Sequence, residues 1–348
     1  MNKIIETAKK IIEPDQKMRD IAKAHLDDLT KPPGSLGRLE ELVEQIVFIT
    51  GNKKPTTAKK VIFTLAGDHG VAEEGVSAFP QAVTCQMLLN FSHGGAAVNV
   101  LARHAGADLK VVDMGVKGEI PQNSGVVNKK IQPGTDNMSK GPSMSKNDAI
   151  LSVERGIELV EENSDYDVIG TGDMGIANTT ASSAIIAVLT GKDVKQVTGR
   201  GTGINNNAFQ NKVEVIKKAI KINNPDPNDP IDVLSKVGGF EIGGIAGVLL
   251  AAASKRIPVV VDGLIATAGA LIAAKIEPKV KFYMVPSHLS VENGHKKALQ
   301  FLELNPYFDL SMRLGEGTGA ALTITLIDAA VKIYNEMATF SNAKVSKS

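Results

Sequence analysis

The sequence has few of the residues on which several classes of protein depend. Its 348 residues include a single cysteine, Cys85, and no tryptophan, and aromatic residues make up only 4% of the chain. One cysteine excludes an intramolecular disulfide and a zinc site built from several cysteines, and it favours a reducing compartment. The scarcity of aromatic side chains also speaks against a base-stacking surface for nucleic acid.

The chain also lacks a strong charge imbalance and a long uninterrupted apolar run. Its formal net charge is +1, which gives no support for binding to nucleic acid or to a membrane surface. The longest apolar stretch, 257–274, contains Asp262 and Gly263, so it predicts a strand followed by a helix rather than a membrane span. Residues 1–20 mix acids and bases at helical spacing, unlike a signal peptide. We therefore expect a cytoplasmic protein with neither membrane nor nucleic-acid partners.

Short apolar runs alternate with helical patterns through most of the chain. The predicted strands are 61–66, 109–113, 167–170, 258–262 and 281–286. The predicted helices are 1–30, a helix beginning at 38, then 81–105, 145–162, 179–190, 209–220, 242–254, 263–275 and much of the last seventy residues. Residues 118–144 show no periodicity and are predicted to be a long surface excursion. Strands that alternate with helices predict a parallel sheet covered on both faces.

Ligands of such sheets bind at the carboxyl ends of the strands, where this chain has polar, glycine-rich loops. The longest of these loops, 170–180, has Asp173 among its glycines and ends in Thr179 and Thr180, which could cap a helix with their hydroxyls. Free N–H groups and the helix dipole beside them would bind an anion such as a phosphorylated substrate. A tight turn with a capped helix explains the same pattern, so both interpretations remain open.

Two further glycine loops carry candidate functional residues. Glu316 lies between glycines in the loop 313–320, where it could be a general base or an acid placed at a helix N-terminus. The loop 199–203 is rich in glycine but matches no nucleotide-binding motif. Lys212 follows it and could contact a phosphate or lie on a solvated helix face.

Histidines in the polar loops raise the question of a metal site. Asp68 and His69 are adjacent, and His93 and His288 are further candidates, but none has the spacing of a metal-binding cluster. A hydrogen-bonded scaffold role suits His69 better. Asp262, at the end of a predicted strand, could contact a ligand or cap a loop. We therefore predict no metal site.

Longer stretches of the sequence resemble a known family. They include Lys-Pro-Pro-Gly-Ser-Leu-Gly-Arg-Leu-Glu at 31–40, Asp-His-Gly-Val at 68–71, Met-Gly-Ile-Ala-Asn-Thr-Thr at 174–180, the segment 231–240, Pro-Ser-His at 286–288, and Met-Arg-Leu-Gly-Glu-Gly at 312–317. Together, and in this order from about residue 30 to residue 330, they resemble the nicotinate-nucleotide:dimethylbenzimidazole phosphoribosyltransferase family of cobamide biosynthesis.

The resemblance implies a fold and a reaction. The fold would be a Rossmann-like parallel sheet flanked by helices in residues 31–300, with a smaller helical domain formed from residues 1–30 and 301–348. The protein would act as a homodimer or as a heterodimer with a related chain. It would transfer phosphoribose from nicotinate mononucleotide to an aromatic acceptor such as 5,6-dimethylbenzimidazole, giving an α-ribotide and nicotinate. The resemblance implies no cofactor and no metal.

The resemblance also implies roles for individual residues. Glu316 matches the family's general base, and Asp173 would favour the positive charge that builds on the sugar. The predicted phosphate- and ribose-binding residues are Gly175, Ile176, Ala177, Asn178, Thr179, Thr180, Gly201, Lys212 and Arg313. The predicted acceptor pocket consists of Phe79, Met87, Met174 and Leu314.

Some positions depart from the family's usual pattern. Better-known members carry glutamate at the position of Asp173 and leucine at the position of Met174. They carry serine at the position of Phe79 and glutamine at the position of Met87. This pocket is therefore expected to be more apolar, which favours phenol or p-cresol as an additional acceptor, as in one branch of the family. Drift in a tolerant pocket is the alternative, since methionine fills gaps readily.

Two other hypotheses remain at this point. One is a dinucleotide-dependent oxidoreductase, which the alternating strands and glycine loops suggest but the missing Gly-x-Gly-x-x-Gly motif opposes. The other is a non-catalytic partner subunit of a heteromeric transferase.

Overall fold

A six-stranded parallel sheet is the centre of the computed structural model, which describes residues 1–163 and 165–343. Its strands are β1 Lys60–Gly67, β2 Asp108–Gly115, β3 Val127–Asn128, β4 Val168–Met174, β5 Val259–Val261 and β6 Met284–Pro286. Their order is β3-β2-β1-β4-β5-β6, and every pairing is parallel. This is the strand order of a Rossmann fold. The predicted α/β class is therefore confirmed.

Helices account for most of the rest of the described chain. They are α1 Asn2–Lys9, α2 Lys17–Asp28, α3 Arg38–Thr50, α4 Val83–Ser92, α5 Ala97–Ala105, α6 Lys146–Glu161, α7 Asn178–Thr190, α8 Val194–Val197, α9 Asn206–Asn223, α10 Pro230–Val237, α11 Phe240–Ser254, α12 Leu264–Ile276, α13 Asn293–Leu302, α14 Thr318–Glu336 and α15 Phe340–Ala343. Short 3-10 helices lie at Gly70–Glu74, Gln122–Ser124 and Pro278–Tyr283. Within the described ranges, no helix is long and apolar enough to span a membrane.

The central strands are buried on both faces. Val61 to Gly67 in β1 and Val168 to Asp173 in β4 are all buried. Burial on both faces explains why β1 is a nearly continuous apolar run in the sequence. On α11, every residue from Phe240 to Ala253 is buried as well. This helix packs against the sheet on one side and against α6 and α12 on others, so it has no solvated face.

Glycine allows α11 to approach α6 closely. A Cβ on Gly156 of α6 would overlap the carbonyl oxygen of Gly244, and one on Gly247 would overlap the carbonyl oxygen of Val153. The two backbones are therefore in direct contact. Any side chain at these positions would push the helices apart.

The two ends of the chain meet. Leu29 pairs with Thr339 in an isolated antiparallel bridge, and the Thr30 N–H donates to the Ala338 carbonyl at 3.0 Å. α3 packs against both α2 and α14. The division into a large domain and a small domain built from 1–30 and 301–348 stays a prediction, and residues 344–348 of that segment lie outside the described residues.

Two predicted helices are in fact interrupted. Residues 1–30 form α1 and α2, separated by a segment that contains Pro14, which has no N–H to continue a helix. Residues 81–105 form α4 and α5, and the break falls at Gly94 and Gly95; Gly94 adopts φ +78°. Apolar spacing continues across both breaks, so periodicity alone merged the elements.

The prediction that 118–144 is a surface excursion is wrong for its second half. Met138 and Met144 are buried, and Ser143 and Met144 donate backbone hydrogen bonds to the α10 carbonyls of Lys236 and Ser235. The segment also contributes β3 to the sheet. Backbone hydrogen bonds, rather than one apolar face, attach this segment to the rest of the protein. Its sequence therefore shows no periodic spacing of apolar residues.

The helix contact yields a stability prediction. Gly156→Ala should lower the free energy of unfolding by about 1–3 kcal/mol, the usual cost of overpacking, because its methyl group overlaps backbone that cannot rotate away. Chemical denaturation would measure the change. Gly141→Ala is the control, since a Cβ there meets nothing within 4 Å. A Gly156→Ala protein as stable as the wild type would disprove the close contact.

Candidate active site

A cavity of about 600 Å³ lies at the carboxyl ends of β4, β5 and β6. Residues 173–176 include the end of β4 and the turn after it, 263–265 follow β5, and 288–292 include the loop after β6. Loops around 79, 201 and 315 complete the wall. Parallel sheets present strand-end loops at this edge, so residues far apart in the chain converge here.

Most of the predicted site residues line this cavity. They are Phe79, Met87, Asp173, Met174, Gly175, Ile176, Asn178, Thr179, Gly201, Arg313, Leu314 and Glu316. The other three, Ala177, Thr180 and Lys212, are buried behind the wall. The fold thus brings together residues from 79 to 316, whereas their roles remain proposals.

The start of α7 differs from the prediction. Its N-cap is Ala177, with φ +74°, so neither threonine caps the helix. The N–H groups of Ile176, Asn178 and Thr180 donate to Thr84 Oγ1, the Gly175 carbonyl and the Ala177 carbonyl. Two of these donors are used within the turn that the left-handed residue closes, and the third is used by α4. An anion here would therefore depend on the remaining N–H groups and on side chains.

Lys212 of α9 is fully buried, which contradicts the interpretation of it as a solvated surface lysine. Its Nζ donates to Thr179 Oγ1 at 2.7 Å. Burial lowers the pKa of Lys212 to about 8, while the charge of Glu292 acts in the opposite direction. At neutral pH this site therefore holds a buried ammonium group directly behind the start of α7.

The loop 199–203 is clamped at Gly201. The Gly201 N–H donates to Glu292 Oε1 at 2.9 Å, and its carbonyl accepts from Arg313 Nη1 at 2.8 Å. Gly201 has φ +51°, and a Cβ there would lie 2.7 Å from Thr179 Oγ1. Only glycine lets the loop backbone come this close to Thr179 and Lys212.

Asp173 ends β4 with its carboxyl group buried in the cavity wall. Its Oδ2 accepts from Asn178 Nδ2 at 2.9 Å, while Oδ1 has no hydrogen-bond partner among the described residues. Burial and then the charges of Asp262 and Glu241 raise the pKa of Asp173 well above its usual range. Such a group gains strongly from a positive charge placed beside it.

Glu316 lies between Gly315 and Gly317 in a loop where all three residues have positive φ. Its carbonyl accepts from Thr64 Oγ1 at 2.7 Å, and a Cβ on Gly172 of β4 would overlap that carbonyl. Burial raises the pKa of Glu316 to about 7; a backbone hydrogen bond from Val98 opposes this and the charge of Asp262 adds to it. Its buried Oε2 has no partner among the described residues.

The sequence allowed Glu316 to be the acid at the N-terminus of a helix, but Asp262 has that role in the structure. Asp262 Oδ2 accepts from the Gly317 N–H at 3.2 Å, and its Oδ1 accepts from the Ala320 N–H at 2.9 Å. These donors are at the start of α14, whose orphan N–H groups need acceptors. Glu316 is thereby left free to face the cavity.

The histidines have distinct positions. His69 is buried and its Nε2 lies 2.7 Å from Glu241 Oε1, a scaffold contact away from the cavity. His288 lines the cavity. Ser287 Oγ donates its one hydrogen to the Asp262 carbonyl at 2.8 Å, so His288 Nδ1, 3.0 Å from Oγ, must be the donor to it. Across residues 1–163 and 165–343, no three His, Cys, Asp or Glu side chains are grouped to hold a metal ion.

Several cavity residues were not predicted. Val83, Leu264 and Ile265 extend the apolar wall, and Ser290 and Glu292 form part of the polar wall. The loop after β6 was recognised only as far as His288. Glu292 carries no motif, and its contact with Gly201 comes from chain folding rather than from spacing.

The cavity thus has three chemically distinct parts. Thr179 and Arg313, with the ammonium of Lys212 directly behind Thr179, suit an anion. Asp173 with Glu316 suits a cationic centre and proton transfer. The remaining wall is apolar, and Phe79 and Leu314 at its rim are 53% and 57% exposed. This arrangement could hold an anionic group, a cationic centre and an apolar ring.

Comparison with known proteins gives a consistent picture. The sequence profile of a family described as phosphoribosyltransferase matches residues 11–345. The nicotinate-nucleotide–dimethylbenzimidazole phosphoribosyltransferases of Geotalea uraniireducens and Geobacter metallireducens are each 54% identical to this chain, over 100% of it and 99% of theirs. The crystal structure of CobT from Thermus thermophilus superposes with a TM-score of 0.92 at 40% identity, covering 95% of this chain and 100% of that one. These relatives lend no support to a dinucleotide-dependent oxidoreductase.

Proposed function

We propose, because this chain belongs to the nicotinate-nucleotide–dimethylbenzimidazole phosphoribosyltransferase family, that it transfers phosphoribose from nicotinate mononucleotide to 5,6-dimethylbenzimidazole. The products would be an α-ribotide and nicotinate. The observation that carries the proposal is the convergence on one cavity of two incompletely hydrogen-bonded carboxyl groups, an apolar wall and Thr179, whose hydroxyl is backed by the buried ammonium of Lys212. Incubation of the purified protein with the nucleotide and a panel of acceptors tests it.

The phosphate would bind between α7 and the loop 199–203. Lys212 and Arg313 supply positive charge at this end, and the N-terminal end of α7 adds the field of its aligned peptide dipoles. Thr179 Oγ1 accepts from Lys212 and has its own hydrogen to donate. The phosphate would thereby hold the ribose beside Asp173.

Asp173 would stabilise the charge that develops on the sugar. Breaking the nicotinate–ribose bond gives an oxocarbenium-like centre, as in glycoside hydrolysis. Nicotinate leaves as a neutral ring nitrogen because the donor already carries the positive charge. A carboxylate next to this centre lowers the energy of the transition state. The free Asp173 Oδ1, buried at the cavity wall, suits that interaction.

Glu316 would accept the proton that the acceptor releases as it attacks. A base with a pKa near the working pH is the most effective, and burial brings the pKa of Glu316 to about 7. For a benzimidazole, the attacking nitrogen bonds to ribose while Glu316 takes the proton from the other nitrogen. No organic cofactor or metal is needed for this step.

A phenolic acceptor is a second candidate for the same site. The wall formed by Phe79, Met87, Met174 and Leu314, extended by Val83, is apolar. A phenol has a single polar atom on an apolar ring, so it loses little on entering such a pocket. Its hydroxyl has a pKa of about 10 in the tyrosine model, so Glu316 must remove the proton during attack.

The protein would act as a dimer, formed either by two copies or with a related chain. The exposed Phe79 and Leu314 at the cavity rim are in keeping with a partner on that side. A non-catalytic partner subunit would have no need for a cavity-facing Glu316 or a buried Lys212, so we favour an active chain.

The role of Glu316 is testable by Glu316→Gln, which keeps the shape but cannot accept the proton. We expect the rate to fall by about 10²–10⁴-fold. Wild-type kcat/KM should rise as the pH increases through about 7, where Glu316 ionises, and the variant should lack that limb. Glu214→Gln on the surface of α9 is the control. Near-full turnover of Glu316→Gln with every acceptor would refute the assignment.

The phosphate site is testable by Lys212→Ala. Loss of a charge-assisted hydrogen bond should weaken nicotinate mononucleotide binding by about 1.5–3 kcal/mol, roughly ten- to a hundredfold in Kd. Binding of the phosphate-free riboside should change much less. Lys217→Ala, on the exposed side of the same helix, serves as the control. If nucleotide and riboside lose affinity equally, the phosphate binds elsewhere.

Acceptor preference is testable by the double variant Phe79→Ser with Met87→Gln. The wild type should form ribotides with phenol or p-cresol as well as with 5,6-dimethylbenzimidazole, and the variant should shift the kcat/KM ratio toward the benzimidazole, which a polar wall can orient. Val100→Ser, an exposed apolar position outside the cavity, is the control. Absence of any phenolic product, with a related partner chain also supplied, would leave benzimidazole as the acceptor.

A further inference from the structure

We propose that Glu292 is a positioning residue that holds the loop 199–203 in place and keeps the buried ammonium of Lys212 charged for the donor's phosphate. This inference rests on the proposed phosphate site. It assigns a task to a side chain that carries no motif and that touches neither the sugar carbon nor the acceptor in the proposed reaction.

The first support is the geometry of the Glu292 carboxylate. Glu292 is buried, and its Oε1 accepts the Gly201 N–H at 2.9 Å. A Cβ on Gly199 would overlap Oε2, so the loop folds directly around this carboxylate. Arg313 holds the other side of the Gly201 peptide through its carbonyl. Glu292 and Arg313 therefore fix the same residue from opposite sides.

The second support is electrostatic. A fully buried ammonium group is costly without an opposite charge, and Lys212 has only the hydroxyl of Thr179 as its hydrogen-bond acceptor among the described residues. Burial lowers the pKa of Lys212 to about 8, and the charge of Glu292 raises it. Geometry places the two groups on either side of Gly201, because Glu292 Oε1 accepts the Gly201 N–H at 2.9 Å and a Cβ on Gly201 would lie 3.4 Å from Lys212 Nζ. The negative charge of Glu292 therefore acts on this lysine across Gly201.

Other charged groups around α9 do not replace Glu292. Of the helices packed against α9, α7 has no ionisable side chain, α8 has only the exposed Lys195, and α10 has Asp232 and Lys236, which pair with each other at 2.9 Å. Besides Glu292, four ionisable residues line the cavity. Arg313 has the same sign as Lys212, Asp173 is hydrogen-bonded to Asn178, and His288 and Glu316 are the other two.

The clamped loop also reaches the acceptor side. Thr202 Oγ1 accepts from the Ala78 N–H at 3.0 Å and lies 3.3 Å from Ser77 Oγ. Phe79 follows directly in the chain. By fixing Gly201, Glu292 therefore holds both the phosphate end and the wall that carries Phe79.

The test is the pH dependence of donor binding in Glu292→Gln, which keeps an oxygen for Gly201 but removes the charge. In the wild type, nicotinate mononucleotide affinity should fall as the pH rises through about 8, where Lys212 loses its proton. In Glu292→Gln this fall should begin about one pH unit lower, the scale expected for loss of a nearby opposite charge. Titration calorimetry at a pH of about 7.5, in buffers of different ionisation enthalpy, should then show greater proton uptake on binding.

Controls separate this inference from the proposed function. Glu292→Asp keeps the charge and should keep the wild-type midpoint, and the nicotinate riboside should show no such pH shift. If Lys212→Ala weakens nucleotide and riboside equally, the proposed phosphate site is wrong. If Lys212→Ala discriminates between them but Glu292→Gln binds with the wild-type pH profile, the role of Glu292 is wrong. A Glu292→Asp midpoint that shifts as far as that of Glu292→Gln would also refute it.

Discussion

The geometry of the site depends on a buried carboxylate that is fully engaged with backbone. Asp262 follows β5, and its two oxygens accept from the N–H groups of Gly317 and Ala320 at the start of α14. A buried charge without such partners would be strongly destabilising. These hydrogen bonds connect the start of α14 to the carboxyl end of β5. They also fix the turn in which Glu316 faces the cavity rather than the helix N-terminus.

The neighbouring carboxyl groups have fewer hydrogen-bond partners. Asp173 Oδ1, Glu316 Oε2 and Glu292 Oε2 are buried without a hydrogen-bond partner in the described part of the chain, and all three residues line one cavity. Unsatisfied buried oxygens are rare in folded proteins and reduce stability. Their grouping at one cavity is the pattern expected of a functional site.

Close backbone contacts make this arrangement possible. Gly172 lets the Glu316 loop lie against β4, and Gly201 lets the loop 199–203 lie against Thr179 and Lys212. A side chain at either position would push these loops away from the strand and helix against which they lie. The distances that matter for catalysis are thus set by backbone contacts between segments, whose positions depend in turn on the parallel sheet.

The sequence by itself determined the α/β class, five of the six strands and the family, because apolar runs, glycine loops and long motifs are local features. It also identified most of the residues that line the cavity, since polar strand-end loops converge in any parallel sheet. Only the tertiary structure decided which side chains perform which contacts. Lys212 is buried, Asp262 rather than Glu316 caps α14, Ala177 rather than a threonine begins α7, and Glu292 supports Gly201. Each of these four assignments depends on how deeply a side chain is buried and on which distant segments contact it. The spacing of residues along the chain gives neither piece of information.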